Sequence, residues 1–164
     1  AKLLKHEDIC CVQTSPILRA IQTAKIIRKE LELTLVHSLD GLTEHRLDVI
    51  NGLTPGQAAL KLGEGVMDRW WQDPLAHKLP TQEPLEDLQV RMRLVIEGLI
   101  RGSHKGPVLI ITHKYPLASF LCYILNLPLN MVRMFSIPSC SFYKVLIECR
   151  DWRLVNFDKR ASYP

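Results

Sequence analysis

The chain has 164 residues, of which 47% are hydrophobic and 23% charged, and its 21 basic and 17 acidic residues give a net charge of +4. This length and composition predict a single domain over residues 1–164 with one hydrophobic core of ordinary size. The basic residues are dispersed and form no tract or aromatic-interleaved stripe, which argues against a nucleic-acid partner. A mild positive balance suits an anionic small molecule.

The cysteine pattern and the hydropathy predict a protein of the reducing cytoplasm. The cysteines lie mostly in apolar runs such as "DICCV" and "SFLCYIL", without a CxxC pair, and are expected to be small buried side chains. They are Cys10, Cys11, Cys122, Cys140 and Cys149. No apolar stretch approaches the roughly 18 residues of a membrane span, and the N-terminus does not resemble a signal peptide. We therefore expect no membrane contact.

The first predicted elements are a strand, a sharp turn and a helix. The segment "ICCVQTS" is a short apolar run that ends in polar residues, as a strand would. In the segment that follows, "SPILRAIQTAKIIRKELEL", apolar residues recur every three or four positions, which predicts a helix. Ser15 is its expected N-cap and Pro16 its expected first-turn residue. A second strand is predicted over residues 33–38.

Further helices and strands alternate along the rest of the chain. The segment "TPGQAALKLGEGVMDRWWQDP" predicts one or two short helices that contain Trp70 and Trp71. Residues 85–101 predict an amphipathic helix with an apolar face of Leu85, Leu88, Met92, Val95, Ile96 and Leu99. A buried strand in "GPVLIITH", a helix in "YPLASFLCYILNL" and two final strands in "CSFYKVLIE" and "WRLVNF" follow. This order predicts an α/β fold with a mainly parallel sheet.

Ligands of parallel α/β sheets bind beyond the carboxyl ends of the strands. Two segments occupy such positions here, "TSPILRAIQTA" after the first strand and "THKYP" after the buried strand. Arg19 lies in the first of these segments and His113 in the second. Both segments lead into helices, whose first turns present N–H groups suited to an anion. The sequence therefore predicts a phosphate or carboxylate site.

Four segments resemble the motifs of one known family and occur in that family's order. "TSPILRAIQTAKII" resembles "SSPLxRAxQTAxxI", and "LTEHRLDVINGLT" resembles "LxExxxGxWEGxT". "WWQDP" with "PTQEPLEDLQVRM" resembles "FWxxP" with "PPGGESxxDxxxRV", and "VLIITHKYPL" resembles "VLVVSHGGxI". The family is the histidine phosphatase superfamily, the phosphoglycerate-mutase-like proteins, and the resemblance implies a three-layer α/β/α fold with a mainly parallel sheet.

The resemblance also implies a mechanism and residue roles. In this family a histidine of an N-terminal "RHG" motif attacks phosphorus, arginines and a second histidine bind the phosphoryl oxygens, and a carboxylic acid protonates the leaving group. Arg19 then corresponds to a phosphate-binding arginine, Glu44 to the proton donor and His113 to the second, phosphate-binding histidine. Lys114 would add a positive charge beside the phosphate. The ligand would be a phosphorylated small molecule or phosphate itself, with no metal and no cofactor.

The "RHG" motif is not found in these 164 residues, because no arginine is followed directly by histidine. The opening segment "AKLLKHEDI" resembles the end of the family's first helix, so the first strand and its catalytic turn are expected to be missing. Three explanations stay open. The chain is a fragment of a longer protein; another chain, in a homo-oligomer or a complex, completes the sheet; or a degenerate protein has re-formed its sheet without that strand.

Two functions follow from this pattern. The first is a phosphomonoester phosphatase or mutase whose nucleophile is not in this chain. The alternative is a non-catalytic pseudophosphatase that serves as an anion-binding or protein-interaction module. The missing nucleophile, and Lys114 in place of a family glycine, favour the alternative. Trp70, Trp71 and the segment "LNMVRMF" would then form a partner surface, although core packing or a lid over the site is the preferred interpretation.

Overall fold

The computed structural model describes residues 2–34, 36–102, 104–148 and 151–157. The strands in these ranges are β1 (Cys11–Thr14), β2 (Val36–Ser38), β3 (Val108–Ile111), β4 (Tyr143–Glu148) and β5 (Asp151–Phe157). The α-helices are α1 (Leu18–Glu30), α2 (Pro55–Leu62), α3 (Val66–Gln72), α4 (Leu85–Arg101) and α5 (Lys114–Ile124). Short 3-10 turns cover Lys2–Leu4, Asp40–Leu42 and Leu129–Met134.

The central sheet has the strand order β2-β1-β3, and both of its pairings are parallel. Cys11 pairs with Val108 at one end of the β1–β3 ladder and Thr14 with Ile111 at the other. The residues that follow β1 and β3 therefore emerge side by side. Helix α1 packs against all three strands. The predicted α/β fold with a parallel sheet and flanking helices is confirmed.

The last two strands do not join the parallel sheet. β4 and β5 form a separate antiparallel pair. Trp152 of β5 packs edge-on against Phe120 of α5, with the ring centroids 5.3 Å apart, and so anchors the hairpin to that helix. The described part of the chain thus contains a three-stranded and a two-stranded sheet rather than one continuous sheet.

Helix α4 spans the predicted residues, and its apolar face lies in the core. Leu85 and Leu88 pack with Ala118, Cys122 and Val132 in one cluster. One turn further along, a second cluster is formed by Leu42, Met92, Ile96 and Phe120. The i, i+3, i+4 spacing of these side chains gives one continuous stripe, which α5 covers. No helix in the described ranges is long and apolar enough to cross a membrane.

The tryptophan pair divides between core and surface. Trp70 is fully buried and donates its ring N–H to the side-chain oxygen of Gln82 over 2.7 Å. Trp71 is exposed, and the guanidinium of Arg133 lies 4.5 Å from its ring centroid. The preferred interpretation, core packing, therefore describes Trp70. The same α3 helix presents Trp71 to solvent.

Three local predictions were wrong. Ser15 is not the N-cap of α1, and its N–H continues the sheet by donating to the carbonyl of Ile111 over 2.9 Å. Helix α1 begins at Leu18, and its N-cap is Ile17, which makes no side-chain capping bond. Pro16 therefore precedes the helix and does not lie in its first turn. Cys140 is exposed rather than buried. Cys149 lies outside the described residues.

Candidate functional site

Three side chains meet where β1 and β3 end. The Nη2 of Arg19, in the first turn of α1, lies 3.0 Å from Nδ1 of His113. The Nε2 of His113, the N-cap residue of α5, lies 2.8 Å from Oγ of Ser15. Ser15 follows β1 directly, and its Oγ also accepts the N–H of Ile17 over 3.2 Å. The parallel pairing of β1 with β3 therefore brings together residues that are 94 and 98 positions apart.

The hydrogen bonds of His113 define its tautomer. A guanidinium can only donate, so Nδ1 of His113 must accept from Arg19 and carries no proton. The proton lies on Nε2, which donates to Ser15. Burial, together with the positive charges of Arg19 and Arg91, lowers the pKa of His113 to about 4. At neutral pH the imidazole is therefore uncharged, and the fixed charge of this cluster belongs to Arg19.

Glu44 lies at the N-terminus of α5, next to this cluster. Its Oε1 accepts the N–H of Tyr115 over 3.3 Å and the N–H of His45 over 2.9 Å. A carboxylate at this end of a helix is favoured by the helix dipole. The bond to Tyr115, which is two residues beyond His113, fixes the carboxyl group beside the strand end. Arg19, Glu44 and His113, all predicted from the sequence, thus belong to one region of the structure.

Arg91 of α4 holds the segment that carries Glu44. Its Nη1 donates to the carbonyls of Gly41 and Thr43 over 2.7 and 2.9 Å, and its Nη2 donates to the carbonyl of Glu44 over 3.2 Å. The remaining two N–H groups form a bidentate pair with the carboxylate of Glu83 over 2.6 and 2.9 Å. All five guanidinium donors are therefore used, and they fix three successive parts of one loop.

Glu83 is the buried anion that Arg91 neutralises. Its side chain is 1% exposed, and its Oε2 also accepts the N–H of Arg46 over 3.3 Å. Burial alone would raise the pKa of Glu83, but the hydrogen bonds and charge of Arg91 outweigh it and lower that pKa. Gly41 completes the arrangement, because a Cβ there would lie 2.4 Å from a methyl carbon of Val95. Only glycine lets the loop approach α4 this closely.

Lys114 does not point into the cluster of Ser15, Arg19 and His113. Its side chain is exposed, and its Nζ lies 5.8 Å from the ring centroid of Tyr115. The prediction that Lys114 binds phosphate stays a prediction.

A family model matches residues 1–159, nearly the whole chain, and its family is the histidine phosphatase superfamily (branch 1). The chain belongs to the histidine phosphatase superfamily. The resemblance carried by the four sequence motifs is therefore confirmed.

Individual proteins show how far the likeness extends. The curated "Putative phosphoserine phosphatase 2" of Hydrogenobacter thermophilus is 27% identical over 160 residues, which are 96% of this chain and 75% of that protein. Among solved structures, the YhfR protein of Bacillus stearothermophilus superposes with a TM-score of 0.83 at 22% identity, over 93% of this chain and 75% of its own. A mycobacterial glucosyl-3-phosphoglycerate phosphatase gives TM-scores of 0.79 in complex with VO3 and 0.77 with inorganic phosphate. Both are 20% identical and cover 93% of this chain and 78% and 77% of their own. These structures confirm the fold.

Sequence reasoning missed three polar residues of this candidate site. Ser15 was assigned to a helix cap, although its position directly after a strand could have indicated a ligand-facing hydroxyl. Arg91 and Glu83 were not singled out as a pair. Their spacing of eight places them on the same face of α4 and its entry loop, but only the packing of residues 41–44 against α4 shows that the pair supports Glu44.

His113 should make the stability of the protein fall as the pH is lowered. Its pKa of about 4 in the folded protein lies below the ordinary 6.5, so the unfolded chain binds more protons between these values. Stability is complete above about pH 6.5 and declines as the pH falls toward 4. The full shift would correspond to about 3 kcal/mol, and solvent screening of this half-buried ring reduces the expected loss to about 1 to 2 kcal/mol.

Urea unfolding at a series of pH values from about 7 to about 4 measures this slope. Burial also lowers the pKa of His45, so its contribution is present in every curve. The His113→Asn variant, which keeps His45, should show a slope that is smaller by the contribution of His113. Equal slopes in the wild type and the variant would contradict the assignment of a neutral His113.

Proposed function

We propose that this protein is a phosphomonoester phosphatase that acts through a phosphohistidine whose nucleophilic histidine lies outside these 164 residues. The observation that supports it most directly is the cluster of Ser15, Arg19 and His113 at the carboxyl ends of β1 and β3. Guanidinium, imidazole and hydroxyl groups are the donors that a tetrahedral oxyanion accepts on several sides. Covalent catalysis would divide one difficult displacement into two easier ones.

Each residue has a role in this proposal. Arg19 and His113 would bind the phosphoryl oxygens, over which the charge of the transition state is spread. Glu44 would protonate the leaving oxygen, and its attachment to the N-terminus of α5 supports a position next to the phosphoryl group. Arg91 would contribute as a positioning residue, because it holds the loop of Glu44. Lys114 would add a mobile positive charge at the rim.

We further propose that another strand pairs with the outer edge of β3. All four residues of β1, which has partners on both sides, are buried, whereas all four of β3 are only half-buried. Within the described ranges β3 pairs with β1 alone, and β4 and β5 form a sheet of their own. An apolar strand "VLII" at an edge favours a further partner. A strand that carried the nucleophile there would place it beside His113.

The substrate in this proposal is a phosphorylated small molecule. Two similar proteins, named as a putative phosphoserine phosphatase and a glucosyl-3-phosphoglycerate phosphatase, support this substrate class. The binding of VO3 and of inorganic phosphate by the latter supports an oxyanion site in this fold. The positive charge of Arg19 beside a neutral His113 fits a dianionic phosphate better than a neutral ligand.

The test compares two proteins, the 164-residue chain and the product of the whole reading frame that contains it. The expected result is that both bind one inorganic phosphate by calorimetry, whereas only the longer protein hydrolyses an aryl phosphate. The longer protein should also form an acid-labile, base-stable phosphoenzyme. Turnover by the 164-residue chain that His113→Ala abolishes would overturn the proposal, since His113 would then be the nucleophile.

The pseudophosphatase stays the second candidate, and Lys114 is the observation that favours it. A long side chain occupies the position after His113 where the family motif has glycine, with which backbone can approach a phosphate closely. This candidate would be established if the product of the whole reading frame binds phosphate but neither hydrolyses the aryl phosphate nor forms a phosphoenzyme. Absence of phosphate binding by both proteins would exclude the phosphatase and the anion-binding form of the pseudophosphatase.

A further inference from the structure

Three side chains that can bind a metal meet at one end of the parallel sheet. This end is opposite to the cluster of Ser15, Arg19 and His113. Cys10 and Cys11 lie at the start of β1, and His104 lies in the loop that leads into β3. The Sγ of Cys11 is 3.8 Å from Nδ1 of His104 and 3.9 Å from Sγ of Cys10. One ligand atom of each residue lies within 4.8 Å of the others. No part of the proposed phosphatase mechanism uses these groups.

Main-chain contacts hold the two segments together. The N–H of Cys10 donates to the carbonyl of Pro107 over 2.9 Å, and Cys11 pairs with Val108 in the parallel ladder. The thiol of Cys10 lies 3.3 Å from the carbonyl oxygen of Gly106. Consecutive side chains of a regular strand point to opposite faces, but Cys10 precedes β1 and its sulfur lies on the same side as that of Cys11. The arrangement is therefore built into the sheet.

Glycine provides room for the imidazole. A Cβ at Gly102 would lie 3.1 Å from Nε2 of His104, so a larger residue would press on the ring. His104 is exposed, Cys10 is half-buried and Cys11 is buried. An ion can thus approach from the side of His104, and the imidazole can turn toward the sulfurs.

We propose that Cys10, Cys11 and His104 form a three-ligand site for a thiophilic d10 cation, Zn²⁺ or Cu⁺. Tetrahedral Zn²⁺ with Zn–S of about 2.3 Å and Zn–N of about 2.0 Å separates two sulfurs by about 3.8 Å, and sulfur from nitrogen by about 3.5 Å. The observed 3.9 Å between the two sulfurs and 3.8 Å between Cys11 and the imidazole are within a few tenths of an ångström of these values. The third pair, Cys10 with His104, lies within 4.8 Å, so the exposed imidazole would turn toward Cys10 when the ion binds. Two thiolates with one imidazole are the donor set that such cations prefer.

The bound ion would leave the fourth coordination position to water. Both thiols must lose their protons, so binding one ion releases two protons. Because protons compete with the ion for these two sulfurs, the ion would bind more weakly as the pH is lowered. The sequence predicted no metal site because Cys11 and His104 are 93 residues apart and the three residues match no spacing motif.

The test titrates the 164-residue chain with Zn²⁺ against a chromophoric chelator, in the presence of a phosphine reductant and without an affinity tag. We expect one ion per chain. Cys10→Ser and His104→Ala should each weaken binding at least tenfold, whereas Cys140→Ser and His77→Ala, at an exposed cysteine and an exposed histidine elsewhere, should not. A parallel titration with Cu⁺ against a Cu⁺-specific chelator distinguishes the two cations.

A second measurement separates ligation from folding. The thermal midpoint of the wild type and of both control variants should rise in Zn²⁺, because an ion that binds the folded state stabilises it. The midpoints of Cys10→Ser and His104→Ala should be unchanged by Zn²⁺, with circular dichroism like that of the wild type. Binding by these two variants with wild-type affinity, or no stoichiometric binding of either cation by the wild type, would overturn the proposal.

Discussion

Arg91→Ala is expected to lower the free energy of unfolding by about 3 to 5 kcal/mol, more than any other single substitution considered. The substitution removes the two hydrogen bonds that Arg91 donates to the carboxylate of Glu83, whose side chain is 1% exposed. Glu83 keeps the weaker contacts of Arg46, whose N–H lies at 3.3 Å and whose exposed guanidinium lies at 3.6 Å. A buried charge without its partner costs far more than the pair contributes when intact. The carbonyls of Gly41, Thr43 and Glu44 lose their donors as well.

Urea denaturation measures this loss, and Arg93→Ala is the matched control. Arg93 lies one residue beyond Met92 on the same helix, and its pair with Glu97 is partly exposed at 3.4 Å. Exposed pairs of this kind contribute about 1 kcal/mol or less. A loss at Arg91 no larger than the loss at Arg93 would show that the loop does not depend on the Arg91–Glu83 pair.

Arg19→Ala is expected to weaken phosphate binding roughly 10- to 150-fold while leaving stability almost unchanged. Hydrogen bonds to a charged group contribute about 1.5 to 3 kcal/mol, which corresponds to that range of affinity. Arg19 is exposed at the first turn of α1, and its hydrogen bond is to the uncharged His113. Its removal therefore breaks no ion pair among the described residues, and an exposed side chain leaves no cavity in the core.

Calorimetric titration with phosphate at low ionic strength checks this result. Arg28→Ala is the control, because Arg28 lies in the last turn of the same helix and is also exposed. It should change the affinity less than twofold, since its charge is distant and screened. Arg19→Lys should recover only part of the affinity, because an ammonium lacks the planar fork of a guanidinium. Equal effects of Arg19→Ala and Arg28→Ala would exclude Arg19 from the site.

Long periodic elements could be predicted from the sequence, whereas their ends could not. Helix α4 has the predicted bounds because its apolar stripe is continuous over 17 residues and proline and glycine flank it. The start of α1 was misplaced because Ser15 has the chemistry of a cap but its backbone belongs to the sheet. A tertiary hydrogen bond decided that position, and no local pattern reports such a bond.

The candidate site shows the same division. Arg19 and His113 could be singled out because the carboxyl ends of parallel strands meet, which is a rule of topology. The tautomer and the neutral state of His113 could not be predicted from the sequence, because they depend on Arg19, a hydrogen-bond donor 94 residues away. The role of Arg91 could not be predicted from the sequence for a related reason. Its partners include backbone carbonyls, and because every residue type has a carbonyl, no residue pattern marks them.

The β1–β3 pairing also has a consequence for the stage of folding at which Ser15, Arg19 and His113 come together. Ser15 and Arg19 meet His113 only after a loop of nearly one hundred residues has closed. Closing such a loop costs chain entropy before the pairing of β1 with β3 contributes any stabilising free energy. Contacts of this kind therefore form slowly. We therefore expect the cluster of Ser15, Arg19 and His113 to assemble late in folding. A bound phosphate would mainly lower the rate of unfolding and would change the rate of folding little.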